Sequence, residues 1–499
     1  MMTKLQNHKW AILFASLILF LVYRYYAVVD PVLLRNGDDF RYFGSFMSDP
    51  IPRIGWWNVT RILSEYLMPL TGYLSAFIVY PMVGDYLLSA SISLAIVIAV
   101  FLVGLFIAIY RLFSAICKDN HISALVAIMV IVLCFVFFKS RPTENEHMFF
   151  AYHYNLYFYY VFPNILNSII VLELMRVLVL NRNLKIGIPG IGKGWLFVGI
   201  YFSIFSMLFS AGILLSFAFA VLSYHFFLCF KSSGKLSLKL KKFGSESIKN
   251  YTLPVIIIIS TIIAMMLELT SMRSKQAFDS TYFGSMFSSE FVNRIGESAK
   301  YSFLHFRLVN KYVFLILLLI VIAAAFIYFM KPKSRSDQTI GLAVKCMIAG
   351  AFSFCFIILV AAKGGPDYLA ETRCVYGLFF FIILFIGLLS VFVLTQIKQS
   401  LLFLPFVIVF FGMIMFNSSR SYATVADESA LVYSFIPTLI EADSNGDIEI
   451  DFYIPAISPE PWEIECLIDT LYHHKLISNR INIEEYIPIT ERKVYYLPK

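Results

Sequence analysis

Runs of apolar residues long enough to cross a lipid bilayer recur along this chain near 10–29, 87–110, 122–138, 156–179, 195–211, 212–230, 252–269, 312–330, 342–362, 374–394 and 400–416. A helical span needs about 20 residues at 1.5 Å each. Backbone groups in hydrocarbon must be satisfied within the segment, so repeated runs of this kind fold as helices. The expectation is an all-α polytopic membrane protein with about eleven transmembrane helices. Composition agrees, with 59% of the 499 residues hydrophobic and only 14% charged. A water-soluble fold of that composition has too few charged residues to cover its surface.

The first run follows Lys4, His8 and Lys9 and ends in Tyr23-Arg24-Tyr25-Tyr26, with no small-residue cleavage site. It reads as a retained helix, not a signal peptide. The stretch 195–230 is too long for one span and is divided into a hairpin around Ser210-Ala211-Gly212. The segment 31–86 contains Trp56-Trp57 and an apolar stretch interrupted by Pro69, Gly72 and Pro81. It reads as helices lying in the membrane interface. The basic cluster Lys231, Lys235, Lys239, Lys241, Lys242 and Lys249, followed by Lys331, Lys333 and Arg335, places the N-terminus and these loops in the cytoplasm. The net charge of +8 is explained by such loops and gives no hint of nucleic-acid binding. Seven scattered cysteines form neither a disulfide framework nor a metal-cluster pattern.

Residues 1–416 thus form the membrane domain, and 417–499 a polar unit without a spanning run. Ser444-Asn445-Gly446-Asp447 suggests a hairpin turn before the alternating strand 448–452, and Pro461 opens a helix through His474. The expected unit is a small α/β domain outside the cytoplasm. Asp443, Asn445 and Asp447 have calcium-loop spacing, but Ile448 and Ile454 stand where that loop needs Gly and Glu.

Three polar constellations lie beyond the ends of spans on the non-cytoplasmic side. The first is Asn36-Gly37-Asp38-Asp39-Phe40-Arg41-Tyr42. Adjacent carboxylates at a membrane surface are costly unless solvated, so they are either a plain polar loop or a functional pair. A carboxylate here is chemically able to take a proton from a sugar hydroxyl, with Arg41 and Tyr42 beside it. The second is Lys363-Gly364-Gly365-Pro366-Asp367-Tyr368, followed by Glu371 and Arg373. The planar fork of Arg373 and the point charge of Lys363 suit phosphate oxygens, or else snorkel to the interface. The third is Lys139-Ser140-Arg141-Pro142-x-Glu144-x-Glu146-His147, whose Arg141, Glu144 and His147 are candidates to line a sugar pocket.

A polytopic chain with an acid pair in its first outer loop resembles the GT-C superfamily of membrane glycosyltransferases. Its size and loop plan resemble bacterial serotype-converting O-antigen glucosyltransferases. The likeness covers the general plan, and its sharp residues are Asp38, Asp39 and Pro366-Asp367-Tyr368-x-x-Glu371-x-Arg373. The resemblance implies a GT-C-like fold and a catalytic base at Asp38 or Asp39. It also implies a polyprenyl-phosphate sugar donor and a glycan or lipopolysaccharide acceptor at the periplasmic face of the inner membrane. No cofactor is implied.

The sequence lacks a Walker loop, a metalloprotease helix motif and a repeated half with broken helices. The competing expectations are an O-antigen polymerase or ligase, and a lipid-linked oligosaccharide transporter. In the transporter, residues deep in the bundle would matter and the acid pair would be dispensable.

Overall fold

The computed structural model describes residues 8–47, 49–138, 147–186, 193–231, 236–272, 289–330, 338–397, 435–455 and 461–489. Nine helices among them are long and apolar enough to cross a membrane: Lys9–Val29, Ile62–Val83, Tyr86–Cys117, Tyr154–Asn181, Leu208–Lys231, Thr252–Leu269, Lys311–Met330, Gln338–Gly364 and Tyr376–Ile397. Asn120–Val136 and Gly194–Ile204 are shorter apolar helices. The expected run at 400–416 lies outside the described residues.

Burial separates central helices from lipid-facing ones. Tyr376–Ile397 is covered on nearly every side. Lys311–Met330 buries only the stripe Val313, Leu317, Ile320, Ala324 and Ile327. It leaves Phe314, Leu315, Leu318, Leu319, Ile322 and Phe326 exposed. In water, burying each such side chain would gain about 1.5–3 kcal/mol, so this face requires an apolar solvent. The chain is a multi-pass membrane protein.

The helices alternate in direction. His8 Nδ1 meets the Tyr110 hydroxyl at 2.7 Å, and the Ser91 hydroxyl donates to the Tyr26 carbonyl at 3.3 Å. Lys9–Val29 and Tyr86–Cys117 are therefore antiparallel, and the chain enters the second at the end where it left the first. The intervening Ile62–Val83 has the length and composition to cross; its first turn is tied to the Phe158 and Phe205 carbonyls by the Ser64 hydroxyl at 2.8 Å and the Leu63 N–H at 3.1 Å. It is one continuous helix. Pro69 does not break it, and a π turn at Ser75–Val79 leads into Tyr80–Val83.

The division of 195–230 falls earlier than the sequence suggested. Lys193–Ile204 stops, residues 205–207 turn, and Leu208–Lys231 follows. Ser210, Ala211 and Gly212 are helical and buried. The Ser210 hydroxyl donates to Asn164 Oδ1 at 2.7 Å, so it serves packing, not a turn.

In the C-terminal segment a helix at 435–445 leads into strand β1, Glu449–Pro455. The helix Pro461–His473 then crosses to strand β2, Asn482–Ile489, which pairs parallel with β1. The expected hairpin at 444–447 is instead the end of the helix. Gly446 adopts φ +84°, and the Asp447 N–H returns to the Ala442 carbonyl at 3.0 Å. The Asp443 carboxylate accepts the backbone N–H groups of Ser478 and Asn479 at 2.8 and 3.1 Å, a loop clamp. Ile464, Leu467, Ile468 and Leu471 form the buried face of the Pro461–His473 helix.

Candidate active site

The acid pair opens a short helix, Gly37–Gly44. Asn36 caps it, its Oδ1 accepting the Asp39 N–H at 2.9 Å. The two acids are adjacent in sequence and point about 100° apart around the helix, which gives them opposite fates. Asp38 is exposed. Asp39 is fully buried, and its two oxygens accept the backbone N–H groups of Arg35 at 2.9 Å and Asn155 at 2.8 Å. Burial pushes the Asp39 carboxyl from 3.8 up to about 7, against the smaller pull of the Arg35, Asn155 and Asn36 backbone groups.

Asp39 therefore joins the loop before its own helix to the start of Tyr154–Asn181. Neighbouring contacts reinforce the join. The Arg35 guanidinium lies over the Tyr152 ring at 4.9 Å, and Asn36 Nδ2 approaches His153 Nδ1 at 3.4 Å.

One turn along the acid-pair helix, Tyr42 is buried edge-on against Tyr159 at 5.5 Å. Tyr159 and Tyr160 belong to a π turn, Tyr157–Val161. Each carries a buried arginine on its face. Arg61 stands 4.8 Å from the Tyr159 ring and Arg373 stands 4.8 Å from the Tyr160 ring. Both guanidiniums are within electrostatic reach of the Tyr160 hydroxyl. Glu371 pairs with Arg373, and Glu268 lies within reach of both Arg61 and Lys363.

Both arginines keep a buried Nε with no acceptor among the described residues. Asn155 Oδ1, beside Asp39, has no donor among the described residues. Unmet buried polar atoms cost about 1–3 kcal/mol each, and others lie elsewhere in the bundle, among them Ser216 Oγ and Ser353 Oγ. From Asn155 to Tyr159 is one helical turn, about 6 Å of rise. Arg373 is held from behind by Asn164 Nδ2, which donates to its carbonyl at 3.0 Å. The loop Pro366–Ala370 is pinned by His305 Nε2 against the Leu369 carbonyl at 2.6 Å.

Comparison with family models, with curated proteins and with solved structures returns no match.

Of the residues expected from sequence, Asp38, Asp39, Tyr42 and Arg373 meet at one end of the bundle. Lys363 is half-buried, within electrostatic reach of Glu268. Arg41 is exposed on the acid-pair helix, within electrostatic reach of Cys466. Arg141 and Glu144 lie outside the described residues. His147 sits in an aromatic cage of Tyr25, Tyr26, Phe135, Phe149 and Phe150, with Nδ1 accepting the Phe149 N–H at 3.1 Å. Burial pushes its pKa down to about 3. That is the environment of a buried, neutral histidine, and its Nε2 has no partner among the described residues.

Two contributors were missed from sequence. Arg61 lies in a polar stretch where nothing local distinguishes it. The other is the C-terminal unit, expected to be separate. The Gly37 N–H donates to Glu463 Oε1 at 3.0 Å, and the Thr470 hydroxyl donates to the Phe40 carbonyl at 2.7 Å. Tyr86 and His474 Nδ1 meet at 2.6 Å. A Cβ on Gly37 would run into the Trp462 ring and approach the Glu463 Cα to 2.9 Å. The Pro461–His473 helix is thus a wall of the acid-pair site.

Proposed function

We propose that this protein is an inverting glycosyltransferase of GT-C-like fold. It moves a hexose, glucose by the resemblance noted above, from a polyprenyl-phosphate donor to a cell-surface glycan such as O-antigen. The work takes place at the periplasmic face of a bacterial inner membrane. In this reading the N-terminus is cytoplasmic and the C-terminal unit periplasmic.

The observation that carries the reading is an exposed carboxylate, Asp38, on the same short helix as Tyr42, which packs on Tyr159, the ring beneath buried Arg61 and next in sequence to Tyr160, which carries buried Arg373. Asp38 is the base, and Asp39 fixes the helix that presents it. The acceptor hydroxyl gives its proton to Asp38, and its oxygen forms a bond to C1 of the donor sugar. The bond from C1 to the phosphate oxygen breaks, and polyprenyl phosphate leaves with the electron pair. Arg61 and Arg373 supply charge-assisted hydrogen bonds to that phosphate. In this reading Asn155 Oδ1 accepts from a sugar hydroxyl.

The test is sugar transfer from a polyprenyl-phosphate hexose in membranes carrying Asp38→Asn. Loss of a general base is expected to lower the rate on the order of 10²–10⁴-fold with protein level unchanged. Near-normal transfer by Asp38→Asn, Asp39→Asn and the double variant would favour the transporter.

A further inference from the structure

A second cluster lies at the opposite end of the bundle, where the active-site reading uses nothing. His225 and Cys229 are four residues apart on Leu208–Lys231 and so share one face. The amphipathic helix Leu236–Asn250 folds back against that face and brings Glu246 to it. His225 Nε2 lies 3.4 Å from Glu246 Oε2 and 3.6 Å from Cys229 Sγ. Cys229 Sγ is 4.0 Å from the same carboxylate oxygen. His225 and Cys229 are buried, and Glu246 is partly exposed.

The 3.4 and 3.6 Å separations are close to those of a coordination sphere, and the 4.0 Å one needs the thiol and carboxylate to draw together by about half an ångström. With zinc–nitrogen and zinc–oxygen bonds of about 2.0 Å and zinc–sulfur of about 2.3 Å, tetrahedral ligands lie roughly 3.3–3.5 Å apart. The surroundings also suit a held ion. The rings of Tyr251 and Phe243 lie 4.7 and 5.6 Å from the His225 ring and orient it. Lys242 Nζ lies 4.0 Å from the other Glu246 oxygen, Oε1, leaving Oε2 turned toward the histidine and thiol. A thiolate, an imidazole and a carboxylate together suit the borderline-soft zinc ion, with water as fourth ligand.

We propose that His225, Cys229 and Glu246 bind one zinc ion, which clips the basic amphipathic helix to the end of the membrane helix before it. The bonds formed are Nε2, Sγ and Oε2 to zinc, and the thiol proton is released to solvent on binding. The role is structural, and it is independent of the glycosyl-transfer reading.

The test uses full-length protein in detergent, stripped with chelator and titrated with Co²⁺, then with competing Zn²⁺. One equivalent of Co²⁺ with a sulfur-to-metal charge-transfer band is expected, displaced by one equivalent of Zn²⁺. Cys229→Ser should abolish the band, and Cys355→Ser, on another helix, should keep it. Glu246→Gln, at a partly exposed position that tolerates change, should keep the band but weaken binding. The loss should reach at least the roughly 10–100-fold that outer-shell changes cost. Zinc should also raise the unfolding temperature of the wild type and of Cys355→Ser, and not of Cys229→Ser. No band in the wild type, a band surviving in Cys229→Ser, or undiminished affinity in Glu246→Gln would each overturn the proposal.

Discussion

Asp39 accepts the backbone N–H of Asn155 at 2.8 Å across 116 residues of sequence. With the Arg35 N–H on its other oxygen, that carboxylate ties the first loop to the Tyr154–Asn181 helix, which carries the tyrosine pair. It is a buried knot, and its neighbour Asp38 is the acid left exposed.

This division predicts different failures for the two acids. Asp39→Asn presents one oxygen and one NH₂ group to two backbone donors, so one N–H loses its acceptor. The expected cost is about 1–3 kcal/mol of stability, with transfer falling in proportion to lost folded protein. Asp38→Asn should change stability by less than about 0.5 kcal/mol while abolishing most transfer. Thermal unfolding in detergent beside the transfer assay measures both. A stable, inactive Asp39→Asn and a destabilised, active Asp38→Asn would exchange the two roles.

The Asp39 carboxyl also predicts a pH dependence. Its folded pKa of about 7 lies above the ordinary 3.8. Between these values the folded chain holds a proton that the unfolded chain has released. The stability contributed by this group is present below about pH 4 and is lost as pH rises toward 7. Unfolding temperatures measured from pH 4.5 to 7.5, roughly that window, should fall more steeply for the wild type than for Asp39→Asn, which has no proton to release. Parallel profiles would show that Asp39 does not titrate there.

Arg61 and Arg373 are expected to behave alike. Lysine keeps the charge but loses both the planar fork and the stack on Tyr159 or Tyr160. Arg61→Lys and Arg373→Lys should each weaken donor use by roughly 10–100-fold, and the alanine variants by at least as much. The dependence of transfer on donor concentration is the measurement. Unchanged donor dependence in both lysine variants would reduce these residues to packing.

The contact of the C-terminal unit with the acid-pair helix is tested at Gly37. Gly37→Ala forces a methyl into Trp462, at a cost of about 1–3 kcal/mol. Trp462→Ala should relieve much of that cost in the double variant, giving a non-additive cycle by thermal unfolding. Strict additivity would mean that the two residues do not touch in solution.

Much of this was legible because its signal is local. The apolar runs announce the helices, and Thr252–Leu269 falls where its run does. Asn36 followed by Asp39 has the form of a capped helix start, and Arg373 drew notice beside Gly364-Gly365-Pro366. What the sequence hid depends on distant pairing. The two acids differ only through the amides of Arg35 and Asn155. Arg61 is unremarkable until Tyr159, nearly a hundred residues on, comes beneath it. The 62–83 helix has the composition of a span, and the partners that hold its first turn, the Phe158 and Phe205 carbonyls, are far away in sequence. His147 carries the chemistry of a ligand, but its aromatic neighbours come from three separate segments.

Gly37 and Glu463, joined by one hydrogen bond, stand 426 residues apart. A ribosome adding about 5–20 residues per second needs roughly 20–85 s to travel from one to the other. For that interval the newly made acid-pair helix has no lid, while the helices between are still being threaded into the bilayer. The Pro461–His473 helix reaches it only after them. Its contact with Gly37 can therefore form only after every helix between the two has been synthesised.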